Sequence, residues 1–188
     1  RSIEWVDGEF DQRPHTPAFE VIFVYSQAEG TLDMNFRGGF KAVEPLQAMF
    51  ADAILKSELP PDPKDERVYD LDPLRDRDFQ FIFGVETGII RTAVKKLRLS
   101  STLTRGDRIT LESDTTDDAL AVYALLDQLS KAIPVHLYHV TQVEIEVQMT
   151  GGRNGRPRKT TIRLTHPNSC SLKYDETDLT LRAMLEAS

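Results

Sequence analysis

The chain has 188 residues, of which 40% are hydrophobic and 28% charged, and this composition is typical of one large globular domain or two small ones. Its formal net charge of -7 gives no long-range attraction to nucleic acid or anionic membranes, so such contacts require a local basic patch. No run of about 18 apolar residues and no secretory signal pattern is present, which predicts a soluble, cytoplasmic protein without membrane contact.

The first residues and the single cysteine add two expectations. Cys170 is alone, which excludes a disulfide framework within the chain and favours a reducing compartment. The chain begins at Arg1 instead of a methionine, and we expect it to be the C-terminal part of a longer polypeptide. Residues 1–17 show no hydrophobic period, so we interpret them as an entry segment that packs through Trp5 and Phe10.

The first predicted unit is a β-hairpin followed by a helix. Residues 19–25 are rich in β-branched and aromatic side chains, and apolar residues alternate again over 32–36, after a loop that ends at Gly30. Apolar residues then recur at intervals of three and four over about 42–57, which predicts an amphipathic helix.

A connection and a second hairpin come next. Residues 60–88 are rich in proline and charge but also in aromatic side chains, which predicts an ordered crossing connection and not a disordered linker. Residues 89–111 predict a hairpin with its turn at 105–107. Its apolar positions change parity across Lys95 and Lys96, which indicates a β-bulge.

The rest of the chain repeats the order of strand, strand and helix. A helix is predicted over about 116–131, a long strand over 135–150, a return strand over 159–165 and a final helix from about 175–178 onward. Each hairpin would leave one apolar face bare without a helix against it. The sequence therefore predicts an α+β fold of three successive β-β-α units, with antiparallel hairpins forming one or two sheets and helices packed on one face.

The domain interpretation follows from this order. We take residues 1–188 as a single α+β domain built on one core. The alternative is a subdivision into residues 1–60 and 86–188, joined by the proline-rich connection 60–88.

The histidines and the cysteine do not predict a catalytic or metal site. His136 and His139 are three residues apart in a predicted strand and would face opposite sides. Zinc sites take about four Cys, His or carboxylate ligands, and a single cysteine with scattered histidines is a poor supply. His166 and Cys170 are four residues apart, but no nucleophile motif accompanies them. Nucleotide-binding glycine motifs are also missing, so we expect no catalytic residue, no metal and no cofactor.

Closely spaced carboxylates support an alternative in which the protein is an enzyme. The candidate acids are Asp70, Asp72, Asp76, Glu144 and Glu146. A metal-dependent hydrolase would bring such acids together with a lysine around Mg²⁺. No Glu-x-Lys follows Glu144, because Gln148 stands where the lysine would be. A solvated strand face and a charged connection are the simpler interpretation.

The most unusual segment is basic and lies at the predicted tip of the third hairpin. Within seven residues it carries four cations, which are Arg153, Arg156, Arg158 and Lys159. Residues 153–159, with Gly155-Arg156-Pro157 at their centre, are similar to the core of an AT-hook, and this resemblance implies contact with a narrow A·T minor groove. Exposed cations also neutralise phosphates whatever the motif is called. Lys95, Lys96 and Arg98 would extend this patch if the second and third hairpins are neighbours.

These features predict a non-catalytic recognition or assembly domain of a larger cytosolic protein, contacting nucleic acid through the basic hairpin 153–159. One alternative is a protein–protein or self-association module that pairs through exposed strand edges. Another is the metal-dependent hydrolase that uses the acidic residues. The simplest alternative for the hairpin itself is a solvated loop. The candidate partners are nucleic acid and protein, and the oligomeric state stays open.

Overall fold

The computed structural model describes residues 2–6, 9–13, 19–27, 30–57, 69–151 and 156–188. Within these ranges the fold is mixed α+β, with three α-helices and antiparallel sheets, as predicted. By its internal contacts the chain divides into two compact units, Arg1–Asp62 and Pro63–Ser188. No helix in the described ranges has the length and apolar character needed to cross a membrane.

The first unit begins with a hairpin that the sequence analysis did not predict. Strand β1 (Ser2–Val6) pairs antiparallel with β2 (Glu9–Arg13). The interpretation of residues 1–17 as an aperiodic entry segment is therefore wrong. Ile3 and Trp5 alternate with polar residues in the sequence, but a period of two over five residues is a weak signal for a strand.

The predicted hairpin and helix of the first unit are both present. Strands β3 (Val21–Ser26) and β4 (Thr31–Phe36) pair antiparallel across a turn that ends at Gly30, whose φ is +68°. Helix α1 (Val43–Phe50) continues into a π-helical turn, Ala51–Leu55. The Phe50 ring packs on the hairpin, with its centroid 4.9 Å from that of Phe23. The helix therefore covers one side of its own hairpin.

The second unit contains one five-stranded antiparallel sheet with the order β6-β5-β7-β8-β9. The strands are β5 (Ile89–Ser101), β6 (Arg108–Glu112), β7 (Tyr138–Met149), β8 (Arg158–Thr165) and β9 (Ser169–Cys170). The two helices are α2 (Ala121–Ser130) and α3 (Glu176–Ala187). The second and third predicted hairpins share this sheet because β5 pairs with β7.

One face of the sheet forms the core. On β7, Val143, Ile145 and Val147 have no exposed surface, and their partners on β5 and β8 are apolar or small. Helices α2 and α3 contribute buried residues to the same cluster, including Val122 and Leu181. Each such aliphatic side chain contributes about 1.5–3 kcal/mol by leaving water, which is what holds the helices on this face.

The opposite side of the sheet, here called the open face, is polar. Residues that pair across neighbouring strands point to the same face of the sheet, so the pairing register defines which residues lie on the open face. They are Arg91, Ala93, Lys96, Arg98, Ser100, Arg108, Thr110, Glu112, His139, Gln142, Glu144, Glu146, Gln148, Lys159, Thr161, Arg163 and Thr165. The register shifts between Val94 and Lys96, which confirms the predicted bulge with Lys95 as the extra residue.

The described part of the predicted connection, from residue 69 onward, belongs to the core of the second unit. Leu71 and Leu74 are buried, and Leu74 lies within a short 3-10 helix, Asp72–Arg75. The Tyr123 hydroxyl of α2 donates to the Leu74 carbonyl at 3.1 Å. Arg75 donates to the carbonyls of Val135 and Tyr138, so this segment is anchored by polar as well as apolar contacts.

Candidate functional site

The basic hairpin lies at the connection between β7 and β8. Arg156, Arg158 and Lys159 are exposed, whereas Arg153 lies outside the described residues. The Lys159 ammonium is 3.2 Å from a carboxylate oxygen of Glu146, and Arg158 donates to the Thr177 hydroxyl at 3.4 Å. Both cations are exposed, and an exposed ion pair such as Lys159–Glu146 contributes only about 0–1 kcal/mol, so a phosphate can replace it at little cost.

The open face carries more positive than negative charge. Its cations are Arg91, Lys96, Arg98, Arg108, Lys159 and Arg163, and its carboxylates are Glu112, Glu144 and Glu146. The whole chain has a net charge of -7, so the excess of cations on this surface is local. Such an excess attracts an anionic partner at short range even when the overall field does not.

A row of ion pairs crosses the middle of the open face. Glu112, Lys96, Glu144 and Arg163 stand opposite one another on four neighbouring strands. Lys96 lies 2.9 Å from Glu112 and 3.4 Å from Glu144, and Arg163 donates to Glu144 at 2.9 Å. Burial alone would raise the pKa of Glu144, but the hydrogen bonds and charges of Arg163 and Lys96 outweigh it and lower the pKa. Glu144 is therefore ionised at neutral pH, and the cations of Lys96 and Arg163 balance its negative charge.

Two arginines beside this row are free to take another partner. Arg98 pairs with Thr110 and Arg108 with Ser100, so the two guanidinium groups are diagonal neighbours on β5 and β6. Within the described ranges neither guanidinium forms an ion pair. A diagonal pair on a sheet lies within reach of long side chains, so both can approach one phosphate.

The predicted extension of the basic patch has a geometric basis. Lys96 and Arg98 are on the open face, and Lys95 is the bulge residue. Hydrogen bonds from the Thr116 hydroxyl and backbone, aided by the charges of Lys159 and Lys95, lower the pKa of Asp114. The second and third hairpins are neighbours at this end of the sheet, and Asp114 offsets part of their positive charge.

The candidate acids are held by different partners. Asp72 binds His139, Glu144 binds Lys96 and Arg163, and Glu146 binds Lys159. Asp70 and Asp76 each accept a backbone N–H two residues ahead. In the part of the chain that the structure describes, no three Asp, Glu, His or Cys side chains form a group that could hold a metal ion.

One polar pair was missed by the sequence analysis. His136 lies in a 3-10 helix and His139 in β7, so the two do not share the predicted strand. The His139 Nδ1 is 2.6 Å from Asp72 Oδ2, and the Val140 N–H donates to Asp72 Oδ1 at 2.8 Å. Asp72 and His139 are 67 residues apart in sequence, so no local motif could have revealed the pair.

The carboxylate of this pair is ionised. Burial alone would raise the pKa of Asp72, but the hydrogen bonds from Val140 and His139 and the charges of His139 and Arg75 outweigh it and lower the pKa. An ionised carboxylate on Nδ1 favours the tautomer that carries the proton there and leaves Nε2 as the basic nitrogen.

The pair lines a cavity of about 130 Å³. Ser100, Ser101 and His166 contribute polar groups to its wall, and Leu71 and Val140 contribute apolar ones. Ser100 and His139 are also open-face residues, so the cavity lies where the open face meets the Asp72–Arg75 helix. Its volume is below the roughly 300–1,000 Å³ of typical ligand pockets, so any ligand held there is a small organic group and not a nucleotide.

Comparison of the chain with protein-family models, with curated proteins and with solved structures finds no match. Functional inference therefore rests on the charge, register and contacts described above.

Proposed function

We propose that the chain is a recognition domain that binds nucleic acid through the open face of its five-stranded sheet and the adjoining basic hairpin. This proposal rests on one observation. The open face carries six cations and three carboxylates, although the chain as a whole has a net charge of -7. We further propose that the element order reflects three β-β-α units, of which the second and third build this surface.

The dimensions of the open face suit an extended polyanion. From Arg91 to Ser100, β5 covers about 30 Å at roughly 3.3 Å per residue. Each strand of B-DNA carries one phosphate per about 3.4 Å of helix axis, so this length corresponds to roughly nine base pairs along the axis. Cations occur at both ends of this length, with Lys159 at one end and Arg98 and Arg108 at the other. The Arg91 guanidinium, at the Lys159 end, already donates to the carbonyls of Thr115 and Thr116.

The side chains favour double-stranded over single-stranded nucleic acid. Apart from the imidazole of His139, the open-face residues carry no aromatic ring. Proteins that bind single strands commonly stack bases on aromatic side chains, and this surface lacks such a platform. Arginines such as those of the basic hairpin are favoured in narrow minor grooves, which a duplex offers and a single strand does not.

The proposal is tested by fluorescence anisotropy with a labelled duplex and a labelled single strand of the same length. We expect tighter binding of the duplex. If four phosphates are neutralised, the slope of log K against log salt is about -3 to -4. Absent or salt-insensitive binding by the folded wild-type protein would contradict the proposal.

Paired variants separate the two parts of the surface. Replacing Arg153, Arg156, Arg158 and Lys159 by Ala removes the hairpin cations, and the double variant Arg98→Gln, Arg108→Gln removes the free pair on the sheet. We expect each set to weaken binding about tenfold or more and to make the salt slope shallower. The control is Arg77→Gln with Lys131→Gln, because neither residue is on the open face, and it should bind like the wild type.

A second candidate function is self-association, favoured by exposed apolar side chains in the first unit. Phe19 is 72% exposed and Ile54 is 65% exposed, and Ile22, Tyr25 and Met49 are also exposed. Apolar surface on a folded domain is a common site of protein contact. Size-exclusion chromatography with light scattering would show a dimer that Phe19→Ser, Ile54→Ser weakens, whereas a concentration-independent monomer would exclude this candidate.

A further inference from the structure

Four functional groups follow one another across the end of the open face. Arg108 on β6 stands opposite Ser100 on β5, and Ser100 stands opposite His139 on β7. His139 then binds Asp72 at 2.6 Å on its other side. Directly opposed residues have Cβ atoms about 4.5–5.5 Å apart, so the side chains of this row are neighbours.

Asp72 acts as the orienting partner of His139. One carboxylate oxygen accepts from the Val140 N–H and the other from His139 Nδ1, so the carboxylate and the imidazole are both held in place. In the described part of the chain His139 Nε2 forms no hydrogen bond, and it is the nitrogen able to take up a proton. A base oriented by a third group beside a hydroxyl is the arrangement that activates a nucleophile.

Ser100 supplies the hydroxyl. Its Oγ lies 3.0 Å from Thr141 Oγ1, and Thr141 Oγ1 donates to the Arg98 carbonyl at 3.3 Å. Either hydroxyl can be the donor in the Ser100–Thr141 contact. A nucleophilic role requires Ser100 Oγ to turn from Thr141 toward His139, its partner across the strands, and catalytic hydrogen bonds often form only when a substrate is bound.

We propose that Ser100, His139 and Asp72 form a nucleophilic site that hydrolyses small carboxylic esters. The cavity of about 130 Å³ that these residues line has Leu71 and Val140 in its wall, which suits a short acyl group. Arg108 is opposite Ser100 but does not line the cavity, so we assign it no role in the reaction.

The reaction needs water as its one co-substrate. Ser100 Oγ attacks the ester carbonyl while its proton moves to His139 Nε2, and the bond to the alcohol breaks as that proton passes to the leaving oxygen. Water then attacks the acylated Ser100, giving its proton to His139 Nε2, and the carboxylic acid leaves as Ser100 regains the proton. Asp72 stays ionised and stabilises the imidazolium in both steps.

The test uses the whole chain and a fluorophosphonate probe, with the labelled peptide located by mass spectrometry. We expect a covalent adduct on Ser100 that Ser100→Ala abolishes and that His139→Gln slows at least tenfold. The matched control is Ser130→Ala, because Ser130 lies at the end of α2 and does not line the cavity. A melting curve for each variant verifies that it is folded. A folded wild-type protein that leaves Ser100 unlabelled overturns the proposal, as does equal labelling of His139→Gln.

Asp72 is a positioning residue, so its test needs a readout beyond rate. Asp72→Ala should slow the labelling of Ser100 at least tenfold, and Asp72→Glu, which keeps a carboxylate at this position, should restore part of that loss. Rescue by the conservative variant separates an orienting carboxylate from a residue that only supports the fold. Equal labelling of Asp72→Ala and the wild type would remove Asp72 from the site.

A second measurement follows the hydrolysis itself. Turnover of p-nitrophenyl acetate should show an initial burst equal to the concentration of protein, and His136→Gln should leave the burst unchanged because His136 does not line the cavity. A burst that persists in Ser100→Ala overturns the proposal. The hydrolytic site and nucleic-acid binding fail independently, because Ser100→Ala leaves every open-face cation in place.

Discussion

Glu144 is a nearly buried carboxylate in the middle of a polar surface. It is 7% exposed, and Lys96 and Arg163 approach it from the strands on either side. Removing a carboxylate from water is costly unless charged hydrogen-bond partners replace the water. Lys96 and Arg163 therefore stabilise the sheet, because their charged groups replace the water that Glu144 loses on burial.

The substitution Lys96→Ala tests this dependence. It leaves Glu144 with one cationic partner, and we expect it to lower the free energy of unfolding by about 1–3 kcal/mol in urea titrations. Arg77→Ala is the control, because Arg77 and Asp127 form an exposed pair whose loss costs about 0–1 kcal/mol. Equal effects of the two substitutions would contradict the special role of Glu144.

Asp72 gives a prediction in the pH dependence of stability. Its pKa in the folded protein is below the ordinary value of 3.8, so the folded state gains stability above that value and loses it as the pH falls through the lowered folded pKa. We expect Asp72→Ala to be less stable than the wild type by about 1–2 kcal/mol at pH 7 because two hydrogen bonds are lost. In urea titrations at different pH values this difference should shrink below about pH 4. A difference that is constant down to pH 2 would contradict the assignment.

Helix α3 illustrates what can be predicted for a single element. Its predicted start near residues 175–178 matches the observed one, and the reason is the local chemistry of the N-terminus. Asp175 caps the helix by accepting from the Asp178 N–H at 2.9 Å, and Glu176 and Asp178 lie in the first turn, near the positive end of the helix dipole. Such contacts are short in sequence and are visible before any fold is known.

The contribution of Asp175 to stability, as the N-terminal cap of α3, can be measured. Asp175→Ala removes the acceptor for the Asp178 N–H, and we expect a loss of about 0.5–2 kcal/mol in the free energy of unfolding. Glu186→Ala in the last turn of the same helix removes an exposed carboxylate from the end where negative charge is unfavourable, so it should be neutral or slightly stabilising. A loss on Glu186→Ala as large as that on Asp175→Ala would show that the cap is not the cause.

Strand β5 was also predicted in detail because its signal is local. The parity change at Lys95 and Lys96 corresponds to the register shift between Val94 and Lys96. A bulge is needed there because a strand that continued without it would turn Val94 and its neighbours away from the core. The ends of elements were harder to predict. Helix α2 begins at Ala121 and not at residue 116, because the Asp-rich segment before it forms turns held by hydrogen bonds to Asp114 and Asp118.

The core of the second unit is confined to one part of the chain. Every member of its buried cluster lies between Leu71 and Met184, and the sheet that carries the candidate sites lies within the same range. A contiguous segment with its own apolar core is expected to fold by itself.

Expression of residues 63–188 tests this expectation. We expect the fragment to unfold cooperatively in urea, and Ile145→Ala to lower its free energy of unfolding by about 2–5 kcal/mol, because Ile145 is fully buried between β5 and β8. Ile90→Ala is the control, because Ile90 is 53% exposed and should cost much less. A fragment that unfolds without a cooperative transition would contradict an independent core.

Periodicity and turn residues were enough to predict the α+β class, most strands and helices, the β5 bulge and the basic hairpin, because each depends on residues close in sequence. The tertiary structure decided that β5 pairs with β7, which unites two hairpins in one sheet and collects six cations on its open face. It also brought Asp72 to His139 across 67 residues. Pairing between distant segments depends on which apolar faces are buried together, and no local pattern encodes that choice.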